Sequence, residues 1–224
     1  MKRLILILLL CSTYSYAADF EFGLGSSWFK PNINTTWYQE GFPYALHTQS
    51  LSGSIGVVDK FLFTPKFTDG MKWRIGYEYM GEVKTHSMAT TDANYNASTH
   101  GCNGTCLSLA TLDGTSTTQG VYASVLPMWN IGSGYAYIEA GIYLYRTQFK
   151  MHMTGIVQCS ACTPYNAYVG QDPIWSIHPI VGTGYAYGAN TIAITYRNVS
   201  VQGADGYPPN FDGPVFNVSL RHQF

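Results

Sequence analysis

Residues Gly213 to Phe224 read GPVFNVSLRHQF, and with period two they split into two faces. Phe216, Val218, Leu220, His222 and Phe224 fall on one, and Val215, Asn217, Ser219, Arg221 and Gln223 on the other. This is a strand with an apolar side and a wet side, ending on an aromatic.

The same pattern recurs upstream. Met71, Trp73, Ile75, Tyr77, Tyr79 and Val83 alternate with Lys72, Arg74, Gly76, Glu78, Glu82 and Lys84. One face is greasy and the other ionic. Phe20, Phe22, Leu24 and Trp28 oppose Glu21, Gly23, Gly25 and Ser27 in a first strand over Asp19 to Phe29; Leu51, Gly53, Ile55 and Val57 mark a second. Thr117 to Met128 reads as the fourth strand, Gly134 to Lys150 as the fifth, with Tyr137, Glu139, Gly141 and Tyr143 inward, and Pro173 to Tyr187 as the sixth, with His178 inward. Arg197 lies on the wet face of the seventh and Arg221 on that of the eighth.

Composition narrows the class. Aromatic residues make up 15% and charged residues only 11%, with Tyr 18, Phe 11 and Trp 5, whereas soluble domains carry about 25% charged residues. A low-charge, Tyr-rich chain suits a surface facing lipid and head groups. A net charge of -1 predicts no nucleic-acid partner, which would need a clustered basic surface. At the amino terminus Lys2 and Arg3 precede the apolar run Leu4 to Leu10 and the small-residue site Ser15-Tyr16-Ala17. We read residues 1–17 as a secretory signal peptide and 18–224 as one barrel domain, exported through the periplasm. Leu10 before Cys11 argues against lipid attachment there.

Connections alternate between long and short. Breaker-rich stretches are expected as long loops after strands one, three, five and seven, including His86 to Ser116 and His152 to Asp172, with compact turns near Thr64 to Gly70, Asn130 to Ser133 and Gly188 to Asn190. That asymmetry belongs to an all-β, eight-stranded antiparallel up-and-down transmembrane β-barrel with long extracellular loops, short periplasmic turns and both termini periplasmic. Closure leaves no strand edge unpaired in hydrocarbon.

With these residues in view, the mature chain resembles the small eight-stranded outer-membrane barrels of the OmpA/OmpX-like superfamily. It is also similar to uncharacterised outer-membrane barrels of bacterial and phage genomes, through TWYQEGFPYALHTQS at Thr36 to Ser50 and THGCNGTC at Thr99 to Cys106. The first resemblance implies an OmpA-like, porin-like wall in the bacterial outer membrane, next to lipid and lipopolysaccharide. The terminal Phe224 resembles the signal that the barrel-assembly machinery reads. The second resemblance implies no activity, and leaves an extracellular ligand or a phage as the partner to consider.

Cys102, Cys106, Cys159 and Cys162 come as one pair in each of the two longest expected loops. Four thiolates could hold zinc. The oxidising periplasm favours disulfides, and local closure over cross-loop pairing, with three connectivities open. No cofactor is called for. Glu21, Arg74, Glu78, Glu82, Glu139, His178, Arg197 and Arg221 are expected to meet across a lumen that eight strands leave just wide enough for side chains. They should form a connected polar network, the alternative being an ion or proton path.

Function divides into two classes. The first is a non-enzymatic surface barrel whose disulfide-clamped loops mediate adhesion, host-surface modification or phage exclusion. The alternative is a lipid A-modifying enzyme. Tyr196 to Ser200 is loosely similar to the closing segment of lipid A deacylases, but Asn198 stands at the histidine position and is no general base. Gly184 to Phe224 is similar to lipid A palmitoyltransferases in strand architecture. His100 and His152 are the loop histidines that could serve Ser200 from a distance in sequence.

Overall fold

The computed structural model describes residues 18–30, 44–91, 108–157, 165–170, 174–201 and 211–224. They form ten antiparallel strands: β1 (Asp19–Phe29), β2 (Tyr44–His47), β3 (Gln49–Lys60), β4 (Gly70–Thr91), β5 (Ser108–Ile131), β6 (Gly134–Val157), β7 (Tyr165–Gly170), β8 (Ile174–Tyr187), β9 (Asn190–Val201) and β10 (Phe211–Gln223). Eight close a ring in chain order, β1–β3–β4–β5–β6–β8–β9–β10, and β10 pairs back to β1. Leu24 faces Leu220 across that seam, and Phe224 N–H donates to Phe20 O at 2.9 Å.

The ladder gives the strand tilt. From Trp28 the paired residues run through Phe216, Tyr196, Val181, Ala140, Val125 and Trp73 to Asp59 on β3. Trp28 itself pairs with Gln49 of the same strand. One circuit therefore advances ten residues along β3, and with eight strands that shear fixes a tilt of about 40°.

The molecule is built inside out. Leu24, Leu51, Ile75, Ile142, Ile177 and Leu220 are exposed on the wall, while Glu21, Arg74, Glu139 and Arg197 are each 1% exposed within it. Ile75 and Ile142, which two packed sheets would bury together, are 52% and 58% exposed. Trp28, Tyr79, Trp175, Tyr196 and Phe216 ring the wall near the end of the long connections. Phe20, Trp73, Trp129, Tyr135, Tyr185 and Phe224 ring it near the short turns. From Phe20 to Trp28 is eight residues of β1, about 26 Å of strand or about 20 Å along the tilted axis. An apolar band between two aromatic girdles is the exterior of a transmembrane barrel. No helix among the described residues is long and apolar enough to cross a membrane. Replacing Ile194, midway up the wall and 49% exposed, by Arg should cost about 2–3 kcal/mol in lipid vesicles, read from urea unfolding.

Inward glycines make room for rings from the next strand. A Cβ on Gly76 would strike the Tyr122 ring, and one on Gly184 the Tyr137 ring, each glycine being the direct partner of that tyrosine. Below the charged layers, Val58, Leu126, Met128, Tyr137 and Ala193 form an apolar floor at the turn end.

Two expected loops are shorter than the sequence suggested. Residues 86–91 and 108–116 belong to β4 and β5, 152–157 belong to β6, and 165–170 form β7. Thr and Ser fill this stretch, and such β-branched or small polar residues suit a sheet that is wet on its outer face. β4, β5 and β6 are 22, 24 and 24 residues long, against 11 to 14 for the other five wall strands. The excess of about ten residues is about 33 Å of strand and, at the tilt of the wall, lifts a sheet about 25 Å beyond the rest of it. β2 pairs the upper half of β4 and β7 the upper half of β6, giving a five-stranded extension.

Candidate functional site: a charged lumen beneath a polar sheet

The lumen charges are stacked in layers. In the lower layer Arg74 bridges two acids: its Nε lies 2.9 Å from Glu21 Oε1, and its Nη1 3.0 Å from Glu139 Oε2. Arg221 Nη1 approaches the same Glu139 oxygen at 3.5 Å and donates from Nε to Ser219 Oγ at 3.1 Å. Ser124 Oγ donates to Glu139 Oε1 at 2.8 Å, and Gln223 Nε2 to Glu21 Oε2 at 3.3 Å. The Arg74 guanidinium also stands 5.7 Å from the Tyr137 ring centroid.

A second layer lies nearer the long connections. Arg197 Nη1 meets Glu78 Oε2 at 2.6 Å, and Nη2 donates to Thr195 Oγ1 at 2.9 Å. The same guanidinium lies 4.7 Å over the Tyr143 ring. On the neighbouring strand Asn217, the cross-strand partner of Thr195, donates from Nδ2 to Ser27 Oγ and Ser52 Oγ. Among the described residues three buried glutamates are thus matched by three buried arginines, Glu21, Glu78 and Glu139 against Arg74, Arg197 and Arg221. Each charge of this set has an opposite charge within 4 Å, which offsets the cost of its burial.

Six of the eight residues expected in the lumen meet there in ion pairs. His178 also points inward, and joins through its ring, which lies 5.6 Å from that of Tyr145; Tyr145 stacks on Tyr143 at 5.2 Å. Glu82 does not belong, and this expectation is corrected. A β-bulge between Tyr79 and Gly81 inserts one residue into β4, so every side chain above it changes face. Val83, expected on the greasy exterior, is 4% exposed, while Glu82 turns out and pairs with Lys84 at 3.2 Å. Ser124, Tyr122 and the Asn217–Ser27–Ser52 cluster also belong to the lumen; they carry no charge to mark them in the sequence, although strand parity alone places them inside.

Above the bulge the outer face of the extension is polar. Lys84, Thr115 and Lys150 form one cross-strand row, and His86, Asp113 and His152 the next. His86 Nδ1 lies 2.5 Å from Asp113 Oδ1. Nearer the upper girdle, Gln119 oriented to donate to Tyr77 Oη at 2.6 Å accepts from Arg146 Nε and Nη2 at 2.9 and 2.7 Å. The inner face carries Ala110, Leu112, Phe149, Met151 and Met153, all buried.

Among the described residues no group of three His, Cys, Asp or Glu side chains could hold a metal ion. Cys102, Cys106, Cys159, Cys162 and His100 lie outside the described residues, as do residues 1–17, expected to be a signal peptide. The backbone of Ser200 pairs with Asp212 near the end of β9, and Asn198 Oδ1 accepts from Tyr196 Oη at 3.2 Å. That amide serves a tyrosine and offers no base.

Fold and lumen together define a small eight-stranded up-and-down barrel of the transmembrane kind. No family model and no curated protein matches the chain. Among solved structures it is similar to Ail, the attachment invasion locus protein of Yersinia pestis, in a complex with the heparin analogue sucrose octasulfate. That match has 8% identity and a TM-score of 0.41, and covers 92% of this chain and 99% of the other.

Proposed function

We propose that the chain is a non-enzymatic barrel of the bacterial outer membrane that meets another surface through its extension and loops. The observation that carries this reading is the division of labour between lumen and rim. The interior is filled by matched charges and rings, and β4, β5 and β6 continue into a polar sheet that the barrel itself does not need. On this reading both termini are periplasmic, Phe224 is offered to the barrel-assembly machinery, and the extension stands outside the cell. Arg146, Lys84 and Lys150 then rise in order from the upper girdle, where phosphates of lipopolysaccharide or of a facing surface would meet them. Disulfides in the two cysteine-bearing loops would stiffen the rim around this face. Adhesion, shielding and phage exclusion are the roles such a face can serve.

The test compares cells carrying the protein with cells carrying Lys84→Glu and Lys150→Glu. Both side chains are exposed, so the variant should keep its heat-modifiable gel migration. Its effect on adhesion or phage adsorption should drop about tenfold. The competing enzymatic reading is examined by lipid A mass spectrometry with Ser200→Ala alongside: an acyl chain gained or lost only with Ser200 intact would replace the surface reading by lipid A modification.

A further inference from the structure

The connection between β3 and β4 differs from the other short turns. β5 to β6 and β8 to β9 turn through Gly132-Ser133 and Gly188-Ala189, with glycine at φ 64° and 57°. Residues 61–69, FLFTPKFTD, instead project Leu62, Phe63 and Phe67 at 94%, 73% and 74% exposure. An apolar turn so open to its surroundings needs a reason.

Its backbone is held in place. Phe61 N–H donates to Met71 O and Asp69 N–H to Met128 O, each at 2.9 Å. Thr68 N–H and Oγ1 both donate to Pro65 O at 3.1 Å. Trp129 Nε1 donates to Phe67 O at 2.9 Å, and Asn130 N–H to Asp69 Oδ2 at 2.8 Å. A turn braced at both ends and from the neighbouring strand presents these apolar groups outward. It leaves the barrel beside Trp73 and Trp129 of the lower girdle, so its apolar surface continues the band that already faces lipid. Lys60 precedes it and Lys66 lies within it, both exposed. Two of the nearby acids are engaged with backbone, Asp59 accepting from Lys60 N–H and Asp69 from Asn130 N–H.

We propose that the 61–69 turn is a lipid anchor: Leu62, Phe63 and Phe67 enter the leaflet at the terminus-bearing end of the barrel, and Lys60 and Lys66 bind the phosphates of anionic phospholipids there. The inference rests on the transmembrane reading of the barrel and adds a second, off-axis point of attachment. Aromatic and aliphatic side chains sit at the acyl boundary while the lysine stems reach back to the head groups. Because the anchor lies on the β3–β4 side only, it also sets the direction in which the barrel leans.

The experiment uses isotope-labelled protein in nanodiscs of phosphatidylcholine and phosphatidylglycerol, with amide broadening by a lipid-borne nitroxide compared with broadening by a soluble gadolinium chelate. The expected result is that the amides of Leu62, Phe63 and Phe67 broaden with the lipid label, as those of Ile75 and Ile142 do, and are spared by the chelate. Omitting phosphatidylglycerol, or introducing Lys60→Gln with Lys66→Gln, should lower the ratio of immersed to water-exposed turn by about fivefold per lysine. Broadening of the turn by the chelate alone, with Ile75 and Ile142 still in lipid, would overturn the anchor and assign the apolar surface to a protein partner. An unchanged ratio without anionic lipid would overturn the phosphate contact. Ile75 and Ile142 exposed to the chelate would instead overturn the membrane reading itself.

Discussion

Arg74→Met should destabilise the barrel by about 3–5 kcal/mol, because it removes one partner of a buried ionic cluster and leaves the others in place. Arg74 is 1% exposed and is the closest cation to both Glu21 and Glu139. After its loss Arg221 still lies 3.5 Å from Glu139, but 3.9 Å from Glu21, so Glu21 is the carboxylate left worst served. The asymmetry predicts which second change rescues. Adding Glu21→Gln to Arg74→Met should recover most of the lost stability, whereas adding Glu139→Gln should recover less and leave Arg221 short of a partner. Urea midpoints of the refolded proteins in detergent read both effects. Equal rescue by the two glutamines would mean that Arg221 does not divide the acids as the distances imply.

The wall of this molecule was legible because its two solvents are so different. Where strands face hydrocarbon on one side and a charged interior on the other, period two is loud: Phe20 against Glu21, Ile75 against Arg74 and Leu220 against Arg221 each locate a face without further information. The extension was harder to read for the converse reason. Thr111 to Thr118 and His152 to Gly155 have a wet outer face, and on the inner face Leu112 and Met153 are interrupted by Gly114, Ser116, Thr118 and Gly155, so the contrast between faces falls and the segment looks like a loop. The turn at 61–69 is legible in the sequence only as a compact connection; the bracing of its backbone depends on Trp129, sixty-two positions from its acceptor Phe67. Glu82 failed for a different reason. Alternation assumes an unbroken pleat, and one inserted residue reverses every assignment beyond it.

That insertion supports the second large effect, expected for Gly81→Val. Gly81 has φ 96°, and a Cβ there would strike Ser50 Oγ and the Leu51 carbonyl oxygen. Left-handed backbone strain of about 1–3 kcal/mol in a β-branched residue, together with about 1–3 kcal/mol of overpacking, predicts a loss of about 3–5 kcal/mol. Ser50 Oγ donates to Met80 O at 2.9 Å, so the bulge is also clamped from β3, and relaxing it breaks that bond. The damage should be polar along the chain. Below the bulge the register of Trp73 with Val125 and of Ile75 with Ala123 is independent of it, whereas above it the register of Val83 with Ser116 and of His86 with Asp113 exists only because one residue was inserted. Removing the bulge would turn Glu82 and Lys84 into the interior together and push Val83 out, exchanging an exposed ion pair for a desolvated one and a buried apolar side chain for an exposed one. Hydrogen exchange should therefore show amides 83–91 and 108–116 losing protection while 72–78 keep theirs, and heat-modifiable migration should persist. Uniform loss across both halves of β4 would mean that the extension and the barrel unfold as one unit and that the bulge is not the joint between them.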